Sequence, residues 1–237
     1  MTLMLWMVNF LLGASFASFF MCWIEAGHLP LLRRSACNRC GKALTPTQLV
    51  PVLGFFVQSG RCKHCRQQIP WVYPLVEILS GLSFLALGNW DLFSSQGLCL
   101  LSLFLGLLFA SIYDCYHLSI TWTNLVYLLT LALTFAFLND LNILPGLVLW
   151  LCLEVYVGIF PHALGGGDAK LLGLLSLTLP INLMPFLLTA SALLGLLAFF
   201  LTRVLKGPAF KKNVPLPFIP AISLAYVSIQ GLVLKPI

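Results

Sequence analysis

Residues 97–115 read GLCLLSLFLGLLFASIYDC, and Asp114 is the only charged side chain among them. A helix that crosses the hydrocarbon core of a bilayer needs about 20 predominantly apolar residues, so this stretch predicts a membrane-spanning helix. The composition of the whole chain agrees, because 60% of the 237 residues are hydrophobic and 8% are charged. Soluble domains carry roughly 25% charged residues. A water-soluble fold is therefore excluded, and the lipid bilayer is the expected environment.

Further apolar stretches predict an all-α polytopic membrane protein with about eight transmembrane helices. The predicted spans are 3–24, 71–89, 97–115, 119–138, 141–160, 168–182, 184–204 and 214–234. The first 24 residues lack the basic start and the cleavage site of a signal peptide, which indicates a retained helix. We divide the chain into a first transmembrane helix at 1–24, a polar loop domain at 25–70 and a transmembrane domain of about seven helices at 71–237.

The distribution of Lys and Arg predicts the orientation of these helices. The basic residues concentrate in the 25–70 loop and in the short loops predicted on the same side, and only Lys235 falls on the other side. Loops rich in Lys and Arg stay in the cytoplasm, so we expect a cytoplasmic polar loop and both termini outside. The net charge of +6 therefore records membrane orientation, and nucleic acid is not an expected partner. The oligomeric state has no sequence signal.

The polar loop carries two C-x-x-C pairs, Cys37 with Cys40 and Cys62 with Cys65. Two such pairs can place four thiolates tetrahedrally around one Zn²⁺. The alternatives are two disulfides or redox-active pairs. Thiols stay reduced in the cytoplasm, which argues against disulfides. A redox pair needs only one C-x-x-C. The sequence therefore favours a structural zinc site in the cytoplasmic loop.

Two intramembrane aspartates are the strongest catalytic candidates, because ionisable groups in a membrane are costly. Asp114 ends the third predicted span, and Asp168 follows three glycines and opens the sixth, so both are expected at the cytoplasmic level. Two carboxyls brought together share a proton, as in aspartic proteases. The glycines, with Gly165 and Gly167 foremost, permit φ > 0 and a close approach of backbone to substrate. The alternatives are a helix N-cap for Asp168 and an interfacial residue for Asp114.

Three further charged residues are weighed beside the aspartates. Glu77 lies one and a half turns into the second span, where it can hold a structural partner or bind a cationic group. Glu154 is a weaker candidate for the same cavity as the aspartates. Lys170 follows Asp168 by two residues, and it either extends to the membrane surface or pairs with a carboxylate of the site.

Six motifs in order resemble those of the type IV prepilin peptidases. The family shows R-S-x-C-x-x-C, I-P-V, G-R-C-x-x-C and Y-P-x-V-E around the cysteines, and G-x-G-D-x-K-L and P-F-G-P later in the chain. The corresponding stretches here are Arg34–Cys40, Leu49–Val52, Gly60–Cys65, Tyr73–Glu77, Gly165–Leu171 and Pro217–Ala221.

The resemblance implies an inner-membrane aspartic endopeptidase. Such enzymes remove a short basic leader from type IV prepilins and from the pseudopilins of type II secretion, on the cytoplasmic side. They usually then N-methylate the new N-terminus with S-adenosylmethionine. The family's catalytic aspartates correspond to Asp114 and Asp168, and its zinc ligands to the four cysteines.

The sequence departs from the family pattern at several positions. The I-P-D expected after the first aspartate is replaced by Leu118–Thr121, the Asn and Arg near the end of the first span are missing, and Ile219 stands for the glycine of P-F-G-P. The aspartates are intact, so the peptidase is expected and the methyltransferase is the weaker expectation. A catalytically degenerate zinc-ribbon scaffold or assembly factor, and a different G-x-G-D protease that cuts within the bilayer, are the competing functions.

Overall fold

The computed structural model describes residues 3–27, 29, 34–87, 94–161, 163–206 and 216–232. Helices make up the regular structure of these residues, and two isolated β-bridges lie in the polar loop. The predicted all-α fold is confirmed. Of the residues used to predict orientation, Arg33, Lys211, Lys212 and Lys235 lie outside the described ranges. The chain divides into two compact units, residues 1–88 and 89–237.

The first unit pairs two apolar helices and carries the polar loop between them. Its helices are α1 (Leu3–Ala26), α2 (Pro46–Leu49), α3 (Leu53–Val57) and α4 (Val72–Leu87). Helices α1 and α4 pack closely because Gly13 and Gly81 remove side-chain bulk where the helices meet. The hydroxyl of Ser80 donates to the carbonyl of Gly13 over 2.7 Å. The unit boundary near residue 88 lies after the second long helix, whereas the sequence-based division lies before it.

The second unit is a bundle of six helices within the described residues. They are α5 (Ser95–His117), α6 (Trp122–Leu138), α7 (Leu144–Ile159), α8 (Gly166–Ser176), α9 (Met184–Lys206) and α10 (Ile219–Leu232), with a 3-10 turn at Ile181–Leu183 before α9. Helix α8 packs against α6, α7 and α10, and α10 also packs against α5 and α9. Helices α5, α8 and α10 are therefore the part of the bundle that builds the site.

Among the described residues, three helices are long and apolar enough to cross a membrane, and they lie at Leu3–Ala26, Ser95–His117 and Ile181–Val204. Four shorter apolar helices among the described residues correspond to four of the other predicted spans, and they lie at Val72–Leu87, Trp122–Leu138, Leu144–Ile159 and Ile219–Gly231. The protein is thus an integral membrane protein, and the count of eight spans stays a prediction. The sixth predicted span, 168–182, contains an α-helix of only 11 residues. Its length of about 17 Å is roughly half the hydrocarbon core of a bilayer.

Helix α8 is buried on nearly all sides, which explains its apolar sequence from Leu171 to Leu175. Leu171, Leu174 and Leu175 are fully buried. A helix that is hydrophobic all round belongs inside a bundle. Helix α10 is tied to the end of α8 by a hydrogen bond of 2.8 Å between the hydroxyls of Tyr226 and Thr178. These contacts hold the end of α8 against the middle of α10 within the bundle.

Candidate active site and metal centre

Asp114 lies on the last turn of α5 and is 5% exposed. Its Oδ2 accepts a hydrogen bond of 3.1 Å from the backbone N–H of Ile219. Ile219 is the first residue of α10, so its N–H has no acceptor within its own helix. The beginning of α10 therefore supplies a donor to the carboxylate. Sequence reasoning missed this contact, since every non-proline residue carries such an N–H.

Asp168 is the third residue of α8, and the N-cap position is occupied by Gly165. The N-cap interpretation of Asp168 is therefore wrong. Its carboxyl folds back over Gly165, because a Cβ built on that glycine would lie 2.6 Å from Oδ2 of Asp168. Any side chain at position 165 would displace this carboxyl.

The glycines before Asp168 permit positive φ, but they do not adopt it. The described glycines with positive φ are Gly27, Gly41 and Gly60, while Gly165 is extended with φ −63° and ψ 137°. Gly167 instead provides room, because a Cβ there would lie 3.3 Å from Cγ2 of Ile120. The run of glycines acts through the absence of side chains.

Both aspartates line one open cavity of about 620 Å³. Asp168 lies close enough to Asp114 for the two carboxyls to interact electrostatically. Gly165, Gly167 and Phe218 also line this cavity. The cavity therefore joins the end of α5, the beginning of α8 and the beginning of α10, and its two carboxyls can serve one reacting group.

Lys170 also lines the cavity, but its Nζ pairs with Oε2 of Glu154 over 3.2 Å. The other oxygen of Glu154 accepts from the indole N–H of Trp150 over 3.1 Å. Side-chain exposures of 30% and 36% leave the ion pair screened by solvent, so it contributes little stability. Lys170 thus joins α8 to α7. The sequence left two interpretations, extension to the membrane surface or pairing with a carboxylate of the site. The structure shows a pair with a carboxylate, but that carboxylate is Glu154, which does not line the cavity.

Glu77 lies in the first unit and is 8% exposed. Its Oε2 accepts a hydrogen bond of 2.6 Å from the backbone N–H of Val52. This buried carboxyl therefore has one partner in the polar loop and another in Ser18 of α1, which corresponds to the structural interpretation of Glu77.

The four predicted metal ligands come together in the polar loop. The sulfurs of Cys37, Cys40, Cys62 and Cys65 all lie within 4.8 Å of one another, and those of Cys37 and Cys65 are 3.8 Å apart. A tetrahedral centre with Zn–S bonds of about 2.3 Å would place its sulfurs about 3.8 Å apart. The cluster could therefore hold a metal ion, and its dimensions fit Zn²⁺.

The two cysteine pairs share one backbone pattern at an offset of 25 residues. In the first, the N–H of Cys37 donates to Lys42 and that of Gly41 donates to Cys37. In the second, the N–H of Cys62 donates to Gln67 and that of Arg66 donates to Cys62. A β-bridge closes each pair, Ala36 with Ala43 and Arg61 with Gln68. The two C-x-x-C knuckles were predicted from the sequence, and the structure adds that they share one backbone hydrogen-bond pattern.

Each knuckle prepares its first cysteine for a cation. The backbone N–H groups of Cys40 and Arg39 lower the pKa of the Cys37 thiol to about 6. The N–H groups of Cys65 and His64 likewise lower the pKa of Cys62. The N–H of Gln67 acts in the same direction on Cys65, but desolvation and the neighbouring sulfurs raise its pKa to about 11. Four thiolates therefore require a bound cation at neutral pH.

The knuckle pattern predicts that substitutions at its two equivalent positions, 41 and 66, change metal retention in opposite directions. Gly41 has φ 68° and Arg66 has φ 57°. A residue with a Cβ is strained by roughly 1 kcal/mol in this region. Arg66→Gly is therefore expected to raise metal retention against a competing chelator, and Gly41→Ala to lower it. The control is Arg66→Gln, which removes the charge and keeps the strain. Equal gains from Gly and Gln at position 66 would assign the effect to charge.

Two family models match the chain. The Bacterial Peptidase A24 N-terminal domain matches residues 11–90, and the Type IV leader peptidase family matches residues 101–200. The boundary between the two units, after residue 88, lies two residues before the end of the first match. No solved structure matches the chain significantly.

Curated relatives match both units together. A prepilin leader peptidase/N-methyltransferase of Bacillus subtilis is 30% identical over 215 residues, which cover 84% of this chain and 84% of the relative. A protein of the same name in Neisseria gonorrhoeae is 29% identical and covers 74% of this chain and 65% of the relative. A third protein of this name, in Burkholderia pseudomallei, is 34% identical, and the match covers 80% of this chain and 64% of the relative. This chain therefore belongs to the type IV leader peptidase family, as its motifs predicted.

Proposed function

We propose that this chain is a membrane aspartic endopeptidase that removes the leader peptide from type IV prepilins or type II secretion pseudopilins. Asp114 and Asp168 are its catalytic pair. The observation that carries the proposal is the cavity lined by both carboxyls, one at the end of α5 and one at the beginning of α8. The printed names of the relatives supply the substrate class.

The two carboxyls have unequal surroundings, and this inequality supports separate roles. Asp114 accepts the N–H of Ile219, whereas Asp168 has no hydrogen-bond donor within the described part of the chain. A hydrogen bond to a charged group is worth about 1.5–3 kcal/mol. The dipole of α8 favours an anion at Asp168 by about 0.3–1 kcal/mol. The direct hydrogen bond is the larger effect, so Asp114 carries the charge and Asp168 keeps the shared proton.

The reaction then follows from these charges. Ionised Asp114 takes a proton from water while the water oxygen bonds to the carbonyl carbon of the scissile peptide. Asp168 gives its proton to the carbonyl oxygen, which becomes a hydroxyl. When the C–N bond breaks, the leaving nitrogen takes the proton held by Asp114. The hydroxyl proton returns to Asp168 as the carboxyl product forms, so both groups end as they began.

The position of the pair on its helices supports cleavage at one face of the membrane. Asp114 is in the last turn of a helix long enough to span, and Asp168 is in the first turn of α8. The basic loops predict that this face is cytoplasmic. The family of the relatives supports the bacterial inner membrane as the location. Water can reach the cavity from that side, and the apolar segment of the substrate can remain in lipid.

The assignment of charge to Asp114 predicts a backbone-specific effect at Ile219. Ile219→Pro removes the N–H but suits the first position of a helix. Ile219→Ala removes comparable side-chain volume and keeps the N–H. We expect Ile219→Pro to reduce leader release by roughly 10- to 100-fold, and to move the acidic limb of the pH–rate profile to higher pH. Rates are measured on purified protein over a pH series.

The alanine variant decides what a loss of activity means. It should keep the pH profile of the unmodified protein, because the donor to Asp114 is still present. Similar pH profiles for the Pro and Ala variants, at similar thermal stability, would contradict the assignment of the charge to Asp114.

Zinc is the metal that we propose for the cysteine cluster. Cys37, Cys40, Cys62 and Cys65 would hold it as a closed, structural site. Bound Zn²⁺ supplies no group to the hydrolysis. Its function is to fix the two knuckles to each other, and the hydrogen-bonded backbones of the knuckles orient the sulfurs for it.

Methylation of the new N-terminus is a second candidate activity, favoured by the names of the relatives. The described residues assign no site to S-adenosylmethionine, so we derive no step through this cofactor. A catalytically degenerate scaffold is the alternative that needs the cysteines and not the aspartates.

The test incubates the purified protein in detergent with prepilins that carry their leader. Release of the leader supports the peptidase, and the mass of the new N-terminus reports methylation. A further gain of about 14 Da, with S-adenosylmethionine added, would identify one methyl group. Binding of several prepilins without cleavage of any would favour the scaffold.

A further inference from the structure

The polar loop exposes a compact set of large apolar side chains. We define this loop face by Leu53, Phe56, Val57 and Trp71, whose exposed fractions are 58%, 55%, 55% and 68%. The first three belong to α3, and the ring of Trp71 lies 6.4 Å from that of Phe56. Such a cluster costs free energy in water, so it marks a contact surface.

The loop face lies beside α4 and not beyond its end. The N–H of Val52 reaches the carboxyl of Glu77, the sixth residue of α4. Six residues of helix advance about 7.5 Å along the axis, so the beginning of α3 is held near the second turn of α4. This placement brings α3 to the level at which the apolar helix starts.

A strained turn directs α3 at this point. Val52 has φ 63° and ψ −57°, and the N–H of Leu53 donates to the carbonyl of Pro51 over 2.7 Å. This is a γ-turn of the strained kind, unusual for a β-branched residue. The bond from Val52 to Glu77 holds the turn in place. A strained backbone conformation persists where several surrounding contacts hold it.

The loop face continues into an apolar stripe on α4. Trp71 directly precedes this helix, and the stripe is exposed at a spacing that keeps its members on one side of the helix. Its residues are Val72, Leu75, Leu79 and Leu82. Because α4 is an apolar helix of a membrane protein, this exposed stripe is suited to lipid. The loop face extends the same apolar surface toward the membrane boundary.

Cations adjoin the loop face. Arg61, Lys63 and Arg66 are exposed on the second knuckle. That knuckle starts where α3 ends, because the N–H of Gly60 donates to the carbonyl of Phe55 over 3.0 Å. Apolar and aromatic side chains next to Lys and Arg are typical of segments that lie in the boundary between headgroups and acyl chains. The charge complements anionic phospholipid headgroups.

We propose that α3 and Trp71 form an interfacial membrane anchor: the loop face inserts into the headgroup–acyl boundary of the bilayer, and the neighbouring cations bind anionic headgroups. The anchor ties the metal-binding knuckles to the membrane surface. This inference does not depend on the proposed peptidase function, and it applies equally to an inactive variant.

The test measures the depth of Trp71 in the full-length protein. The protein, labelled with 5-fluorotryptophan, is placed in lipid nanodiscs that contain anionic phospholipid, and fluorine NMR separates its 6 tryptophans. The Trp71 resonance is assigned by its loss in Trp71→Phe. We expect its loss with a phospholipid that carries a nitroxide near the top of the acyl chain, and its retention with a water-soluble gadolinium chelate.

Each other outcome overturns the anchor. Loss with gadolinium alone places Trp71 in water, and retention with both probes means that protein covers it, either a second copy or another part of this chain. A Leu53→Ser, Phe56→Ser variant that keeps its metal should lose the nitroxide effect at Trp71. An unchanged nitroxide effect in that variant would also overturn the role of α3.

Discussion

Replacing Asp114 or Asp168 with Asn is expected to abolish leader release, with a loss of roughly a thousandfold or more in each variant. Asn has nearly the shape of Asp but can neither hold the negative charge nor transfer a proton. The mechanism needs both functions in one turnover, since one carboxyl removes a proton from water and the other delivers one to the carbonyl. The measurement is the rate of leader release by purified protein in detergent.

The matched control is Asp140→Asn. Asp140 is an exposed carboxylate that does not line the cavity. Its φ of 50° suits Asn as well as Asp, so this change should leave both fold and cleavage intact. Cleavage that survives in either the Asp114→Asn or the Asp168→Asn variant would disprove the proposed mechanism. Loss of cleavage in both, with normal substrate binding, would separate the peptidase from a scaffold that only binds prepilins.

The two single variants should also be non-additive. Each removes one half of a device that works only as a pair, so the double Asn variant should be little worse than either single one. A double variant that is much slower than both would mean that each carboxyl acts on its own.

The aspartates could be predicted from the sequence because an ionisable side chain in an apolar helix is conspicuous. Their partner at Ile219 could not, since its contribution is a backbone N–H and its side chain gives no sign of it. The same limit applies to Gly165, whose missing Cβ matters because of where Asp168 folds. The resemblance to the prepilin peptidases identified the family correctly from a few motifs, without any knowledge of these contacts.

The helices could be predicted from runs of apolar residues, but α8 shows a limit of that prediction. A run of apolar residues predicts burial, and it does not distinguish burial in lipid from burial among helices. Helix α8 is surrounded by α6, α7 and α10 and is only 11 residues long. The common backbone pattern of the two knuckles was missed for a different reason: the knuckles share backbone hydrogen bonds and cysteines but few other side chains.

Removal of the proposed zinc ion is expected to unfold the knuckles, and this is the second large effect. Of residues 34–71, only Gly54, Phe55, Gln58 and Cys62 are buried, so the loop has almost no apolar core. Structural zinc sites contribute about 10–16 kcal/mol of binding free energy. That is far more than four buried residues can supply, and a segment of this length would lose its fold without the metal.

Trypsin reports this unfolding directly, because Arg61, Lys63 and Arg66 lie within or beside the second knuckle. The metal-loaded protein should resist cleavage at these bonds, and a chelator or Cys37→Ser should make them the first sites cut. The control is Cys152→Ser, an exposed cysteine outside the cluster, which should remain resistant. Resistance that persists after complete removal of the metal would mean that contacts other than zinc hold the two knuckles together.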